Sequence, residues 1–344
     1  MRRAEVNVAT LHGKTASGRP LTVKTAGPRH HLQYFCQRWF VGPITETDHR
    51  VCQKKHLPQY FANPPRPALS LAGLDLKEAA RLAAGDWLRL PAFVGTKTVV
   101  PENWKQLSRL SSRLERGLRA AKKHIPSLVE AGSVHDVKRF HDTMYVPMMT
   151  EKLRRAEELR PLSSLEYSFR RGGLLWYRYR GQDVAGVIWE RRGHEMEFKV
   201  YGCPAQQPVK IFATDHTFVY RGVLEFARER GYSTIHLGGA RPSLHDGVMQ
   251  FKRKFSPWLA DYDENSLDFC VQWSAADDVM VELIRDTSMV FRDGDGFSVL
   301  LGTDDPRENA HLGIAGICSA YLLRSGDTFK HWPRIGLASR DSRG

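Results

Sequence analysis

The chain has 344 residues, of which 42% are hydrophobic and 10% aromatic; that is enough apolar material for about two packed domains and excludes a disordered chain. No apolar run approaches the ~18 residues of a membrane-spanning helix, and no apolar segment follows the basic start Met1-Arg2-Arg3, so a cytoplasmic protein without a secretory signal is expected. A net charge of +13 favours polyanionic partners: nucleic acid, nucleotide-bearing donors such as coenzyme A, or an anionic membrane surface.

Residues 1–30 read as strands or a loose arm. Aromatics at Tyr34, Phe35, Trp39 and Phe40 are followed by Pro64-Pro65-Arg66-Pro67, which marks a loop. Residues 76–85 read as a short helix and Trp87–Pro91 as a strand end. In 103–124 the residues Leu107, Leu110, Leu114, Leu118 and Ala121 share one side of a helical period, and Lys105, Arg109, Arg113, Arg116, Arg119 and Lys123 share the other. That basic side is either a solvated face or a track for phosphates. A second helical stretch runs from about 135 to 159. Four strands are expected at 165–170, 173–180, 184–190 and 195–201, then a helix at 211–230, a buried strand at 233–237 and a short helix at 246–255. The tail from 267 reads as strand, helix, strand, helix, strand.

The cysteines Cys36, Cys52, Cys203, Cys270 and Cys318 form no C-x-x-C pair and read as reduced thiols. Cys36, His49, Cys52 and His56 match no common metal spacing and read as ordinary loop residues, so no metal is expected.

Several segments, taken in order, resemble the Fem-type (FemABX-like) branch of the GNAT acyltransferase superfamily. They are Leu174-Leu175-Trp176-Tyr177, Val184-Ala185-Gly186-Val187, Ala213-Thr214-Asp215-His216, the run from Phe226 to Tyr232, His236-Leu237-Gly238-Gly239, and Asp246 to Phe255. Upstream, Pro101-Glu102-Asn103-Trp104 and Tyr145-Val146-Pro147-Met148-Met149 fit the same pattern. The resemblance covers about residues 90–270. It implies an α/β (α+β) fold of tandem GNAT-like lobes, with mixed β-sheets flanked by helices. A divergent lobe is expected in 1–130, and a C-terminal lobe in 131–344 with an extension from about 271.

Acyl transfer to an amine or hydroxyl passes through an oxyanion that positioned donors must stabilise. The resemblance implies that role, or donor orientation, for Lys252; the residues alone also allow an exposed lysine beside Arg253 and Lys254. Gly238 and Gly239 permit close approach of a ligand or a tight turn. Asp246 or His245 could act as general base, Asp246 being equally a helix N-cap. Arg241 follows the glycines as a donor-binding candidate.

Ordinary GNAT enzymes hold the coenzyme A pyrophosphate on a glycine-rich turn. Here the corresponding segment, Cys203 to Lys210, has two prolines and no glycine. Fem-type relatives that take aminoacyl-tRNA lack that loop too. Aminoacyl-tRNA is therefore the expected donor and partner, tracked by Arg109, Arg113 and Arg116 and stacked on Trp104. The acceptor would be a small molecule, as in antibiotic biosynthesis, or a cell-wall precursor. The alternatives are an acyl-CoA-dependent N-acyltransferase acting on a sugar or amine, and a non-catalytic binding module. No resident cofactor is expected, since the donor serves as co-substrate.

Overall fold

A computed structural model describes residues 5–62, 69–103, 126–152, 159–208, 216–255, 257–273, 276–303, 314–327 and 332–335. The chain begins with β1 (Glu5–Lys14), β2 (Pro20–Ala26), α1 (Arg29–Trp39), β3 (Thr45–Gln53), α2 (Leu57–Ala62), β4 (Leu69–Asp75), α3 (Leu76–Ala83) and β5 (Leu88–Pro91). It continues with β6 (Val94–Val99), β7 (Ser127–Glu130), α4 (Val134–Phe140), α5 (Leu162–Arg171), β8 (Gly172–Tyr179), β9 (Gln182–Arg192), β10 (Glu195–Gly202), α6 (Thr217–Glu229), β11 (Thr234–Ala240), α7 (Gly247–Lys252) and β12 (Trp258–Ala260). The remainder supplies β13 (Leu267–Trp273), α8 (Asp278–Thr287), β14 (Met289–Asp293), β15 (Gly296–Leu301), β16 (Ile317–Leu322) and β17 (Arg334–Ile335).

These elements form a mixed α/β fold with three sheets, each combining parallel and antiparallel pairs. The chain divides into two compact units, one of Met1–Val94, Ala240–Phe251 and Asp261–Gly344, the other of Gly95–Gly239 and Lys252–Ala260. The sequence expectation places a boundary near residue 130. In the first unit the strand order is β3-β1-β2-β4-β13-β5, so a late strand completes the early sheet. β13 pairs antiparallel with β4 from Leu267↔Asp75 to Trp273↔Leu69, and on its other side with β5. All residues of β13 except Gln272 are buried, as a central strand requires. α1 lays Leu32, Phe35 and Trp39 on this sheet, with the Phe35 ring 5.0 Å from Phe269. A four-stranded sheet, β14-β15-β16-β17, follows.

The second unit is built on the sheet β12-β6-β11-β10-β9-β8-β7. Its order of three antiparallel strands, a helix and a parallel strand is the order the resemblance implies. α6 buries Phe218, Val219, Val223, Leu224, Phe226 and Ala227 along one face. Gly222 lets it lie close to Tyr177, since a Cβ there would meet the ring at 2.5 Å.

Residues 165–170 are helix, not the expected strand. Pro161 precedes the first turn, where its missing N–H costs nothing, and Leu165 and Ser168 are buried at helical spacing. Cys36 lies on α1, His49 and Cys52 on β3, and His56 in a 3-10 turn rather than in loops. The second helix expected in the tail has no counterpart among the described residues. The basic stretch 104–125 and residues 209–215 lie outside them.

Candidate active site

β10 and β11 run parallel for only three pairs: Glu195↔Thr234, Met196↔Ile235 and Glu197↔His236. At the next residue β10 is bulged, its register against β9 shifting between Phe198 and Val200. Beyond that point β10 stays with β9, while β11 has β6 as its other neighbour in the sheet. Bulges re-aim side chains and end pairing in this way.

Gly238 sits where the two strands part. Its φ of +77° is a backbone state that L side chains rarely adopt, and a Cβ there would stand 3.3 Å from the Phe198 carbonyl oxygen. Both facts call for glycine. The Gly238 carbonyl accepts from the Thr96 hydroxyl at 3.0 Å, and the Gly239 carbonyl accepts from the Lys252 ammonium at 2.7 Å.

Lys252, the last residue of α7, is only 3% exposed and so is not the exposed lysine that the residues alone also allow. The turn that follows it buries Phe255 completely. Phe255 stacks on Tyr220 at 5.1 Å, and Tyr220 on Phe198 at 5.0 Å. Burial pushes the Tyr220 hydroxyl well above the ordinary phenol range, so that ring acts as packing.

A buried ammonium is costly unless hydrogen-bonded, so its place on a carbonyl beside a strand junction needs a reason. It carries three N–H donors, and in a site of low dielectric each is worth far more to a developing negative charge than in water. The arrangement can hold a cation at a fixed point next to an acyl carbonyl.

The structure thus brings Gly238, Gly239 and Lys252 together in the second unit. Asp246, His245 and Arg241 belong to the first. Asp246 is 3% exposed, and its Oδ1 accepts from the Val248 and Met249 amides at 3.0 and 3.1 Å. It is the N-cap of α7. His245 is exposed, and its carbonyl accepts from Arg38 at 3.2 Å. Arg241 is buried, its guanidinium 4.2 Å from the Phe93 ring and 5.1 Å from that of Tyr34. Burial, and secondarily the charge of Asp246, pushes the Tyr34 hydroxyl up to about 12. Trp104, Arg109, Arg113 and Arg116 lie outside the described residues.

Two features had no sequence signal. One is the pair of buried threonines on β6, Thr96 and Thr98. The other is a charged cluster across three strands: the Glu195 carboxylate bonds His236 Nε2 at 2.6 Å and the Lys97 ammonium at 3.3 Å. Burial alone raises the Glu195 carboxyl, but the bonds and charges of His236 and Lys97 together hold it below the usual range. In the first unit, a cleft of ≈ 470 Å³ is lined by Arg29, Gln33, Cys36, Gln37, Glu46 and His49 among others. Burial raises the Cys36 thiol to about 11, which makes it a poor nucleophile at neutral pH.

No family model matches the chain, and no curated protein matches it. Solved structures similar to it include L-PGS from Bacillus licheniformis, 11% identical over 79% of this chain and 87% of that one, with a TM-score of 0.35. FemX is 12% identical over 76% of this chain and 83% of its own, with a TM-score of 0.40. A GCN5-related N-acetyltransferase from Kribbella flavida is 9% identical over 93% and 73%, with a TM-score of 0.31.

Proposed function

We propose that this chain is an acyltransferase that moves an aminoacyl group from aminoacyl-tRNA to an amine or hydroxyl of a small-molecule or cell-wall-precursor acceptor. The observation that carries the reading is the Lys252 ammonium, fixed on the Gly239 carbonyl where β10 and β11 part. Attack on the aminoacyl ester would place negative charge on its carbonyl oxygen. Lys252 supplies the positioned donor for that charge. The Fem-type resemblance of the glycine turn and of the segment after it supports the same role.

The donor assignment rests on charge and on one loop. The net charge of +13 and the six cations on one side of the 103–124 period suit a phosphate backbone. The segment after β10 carries Pro204 and Pro208, each without an N–H, and offers no glycine-rich cradle for a pyrophosphate.

Titration of the full chain with bulk tRNA and with coenzyme A at several salt concentrations tests this donor. Tight tRNA binding is expected, with a log–log salt slope of about 0.7–0.9 per phosphate contact, and coenzyme A should bind poorly. Replacing Arg109, Arg113 and Arg116 with Ala should flatten that slope by up to about three contacts' worth. Tight coenzyme A binding, together with acyl transfer in the absence of tRNA, would assign the acyl-CoA donor instead.

A further inference from the structure

The positioning of Lys252 traces to β6. Thr96 and Thr98 are two residues apart and so share one face of that strand. Both are buried, at 1% and 2% exposure. Lys97 between them points the other way, to Glu195. The Thr96 hydroxyl donates to the Gly238 carbonyl at 3.0 Å, and the Thr98 hydroxyl to the Phe255 carbonyl at 2.7 Å. Threonine hydroxyls can bond to backbone close by in the chain. These two reach partners 142 and 157 residues away, one just before the carbonyl that holds Lys252 and one three residues after Lys252. The same strand then pairs with β12, from Trp258↔Lys97 to Ala260↔Gly95.

We infer that Thr96 and Thr98 are positioning residues that clamp the glycine turn and the Lys252 segment, and so set where the Lys252 ammonium points. This rests on the role proposed for Lys252. Thr96 fixes the carbonyl of a glycine whose φ is open to several states, and that glycine determines the direction of the next carbonyl, the acceptor of Lys252. Thr98 stops the 3-10 turn that follows Lys252 from rotating. Neither hydroxyl needs to touch a substrate.

The test combines a probe of the ammonium with a mutant cycle. In protein carrying ¹⁵N-labelled lysine, the Lys252 ammonium should give a slowly exchanging resonance. Thr96→Val, which keeps the shape and deletes the hydroxyl, should broaden it or speed its exchange, and Thr96→Ser should restore it. In single-turnover aminoacyl transfer, Thr96→Val should slow the step about 10-fold, less than the ~10²-fold that a 1 Å misplacement can cost, with donor affinity unchanged. In a Lys252→Met background the same change should have no further effect, because residues acting as a unit are not additive. Thr98→Val should behave likewise and carries the test if Thr96→Val does not fold. An unaltered Lys252 resonance in the valine variants, or a loss of rate that persists in the Lys252→Met background, would overturn the clamp and leave the role of Lys252 standing. Normal transfer by Lys252→Met itself would overturn the underlying role instead.

Discussion

Gly238 concentrates two constraints at one position, a left-handed backbone and a carbonyl oxygen 3.3 Å from where a Cβ would stand. Gly238→Ala should therefore destabilise the protein by about 1–2 kcal/mol through backbone strain alone, read as a shift of the denaturation midpoint at constant slope. His31 offers a test in pH. Burial, then the charges of His30 and Arg241, lowers its pKa to about 4 from 6.5. The folded protein thus holds His31 neutral where the unfolded chain would protonate it. Its contribution is fully present above pH 6.5 and is lost as the pH falls toward 4. A His31→Gln variant should lose less of its melting temperature across that window than the parent, and parallel curves would refute the assignment. The two residues also differ in legibility. The sequence marked Gly238 as a turn or ligand-approach glycine because glycine alone tolerates such states. Nothing around His31 announced its partial burial, which comes from tertiary packing.

At the scale of elements, β9 and β10 carry facing charges inside the second unit. Glu190, Glu197 and Lys199 have side chains only 5–6% exposed. The Lys199 ammonium lies 3.0 Å from Glu197 and 3.8 Å from Glu190, Arg171 from α5 lies 3.3 Å from Glu190, and Arg192 also contacts Glu197. Lys199→Met takes one cation from two carboxylates that keep Arg171 and Arg192. It should cost about 1–3 kcal/mol, measured by denaturant unfolding, and no measurable change would show the cluster to be hydrated. This cluster also explains how α5 was misread. Its residues Leu165 to Arg170 alternate enough to suggest a strand. Ser168, however, donates to Glu190 at 2.7 Å, and Arg171 reaches the same carboxylate, an arrangement that needs one helical turn between them. The antiparallel strands β8 and β9 and the helix α6 were legible because each is a dense apolar run bounded by turn residues. The bulge at Phe198 was not, since a two-against-one register depends on the partner strand.

For the molecule as a whole, the decisive event is the return of the chain after residue 260 to the first unit. β13 lies between β4 and β5, so a chain ending before Leu267 should leave both without their central partner. Amide exchange in β4 and β5 should then be fast in a 1–266 variant, while β8 to β10 stay protected. Slow exchange in β4 and β5 would show that the early strands fold alone. A pairing nearly two hundred residues apart leaves no trace in local periodicity. Lys252 and its glycine turn were legible from motif order; their burial and their hold on β6 were not. The proposed activity depends on that lysine. Single-turnover transfer from labelled aminoacyl-tRNA, comparing the parent with Lys252→Met, measures its role most directly. A fall of about 10²–10³ in the rate, with donor affinity unchanged and the fold intact by thermal melt, is the predicted result. An unchanged rate would contradict it.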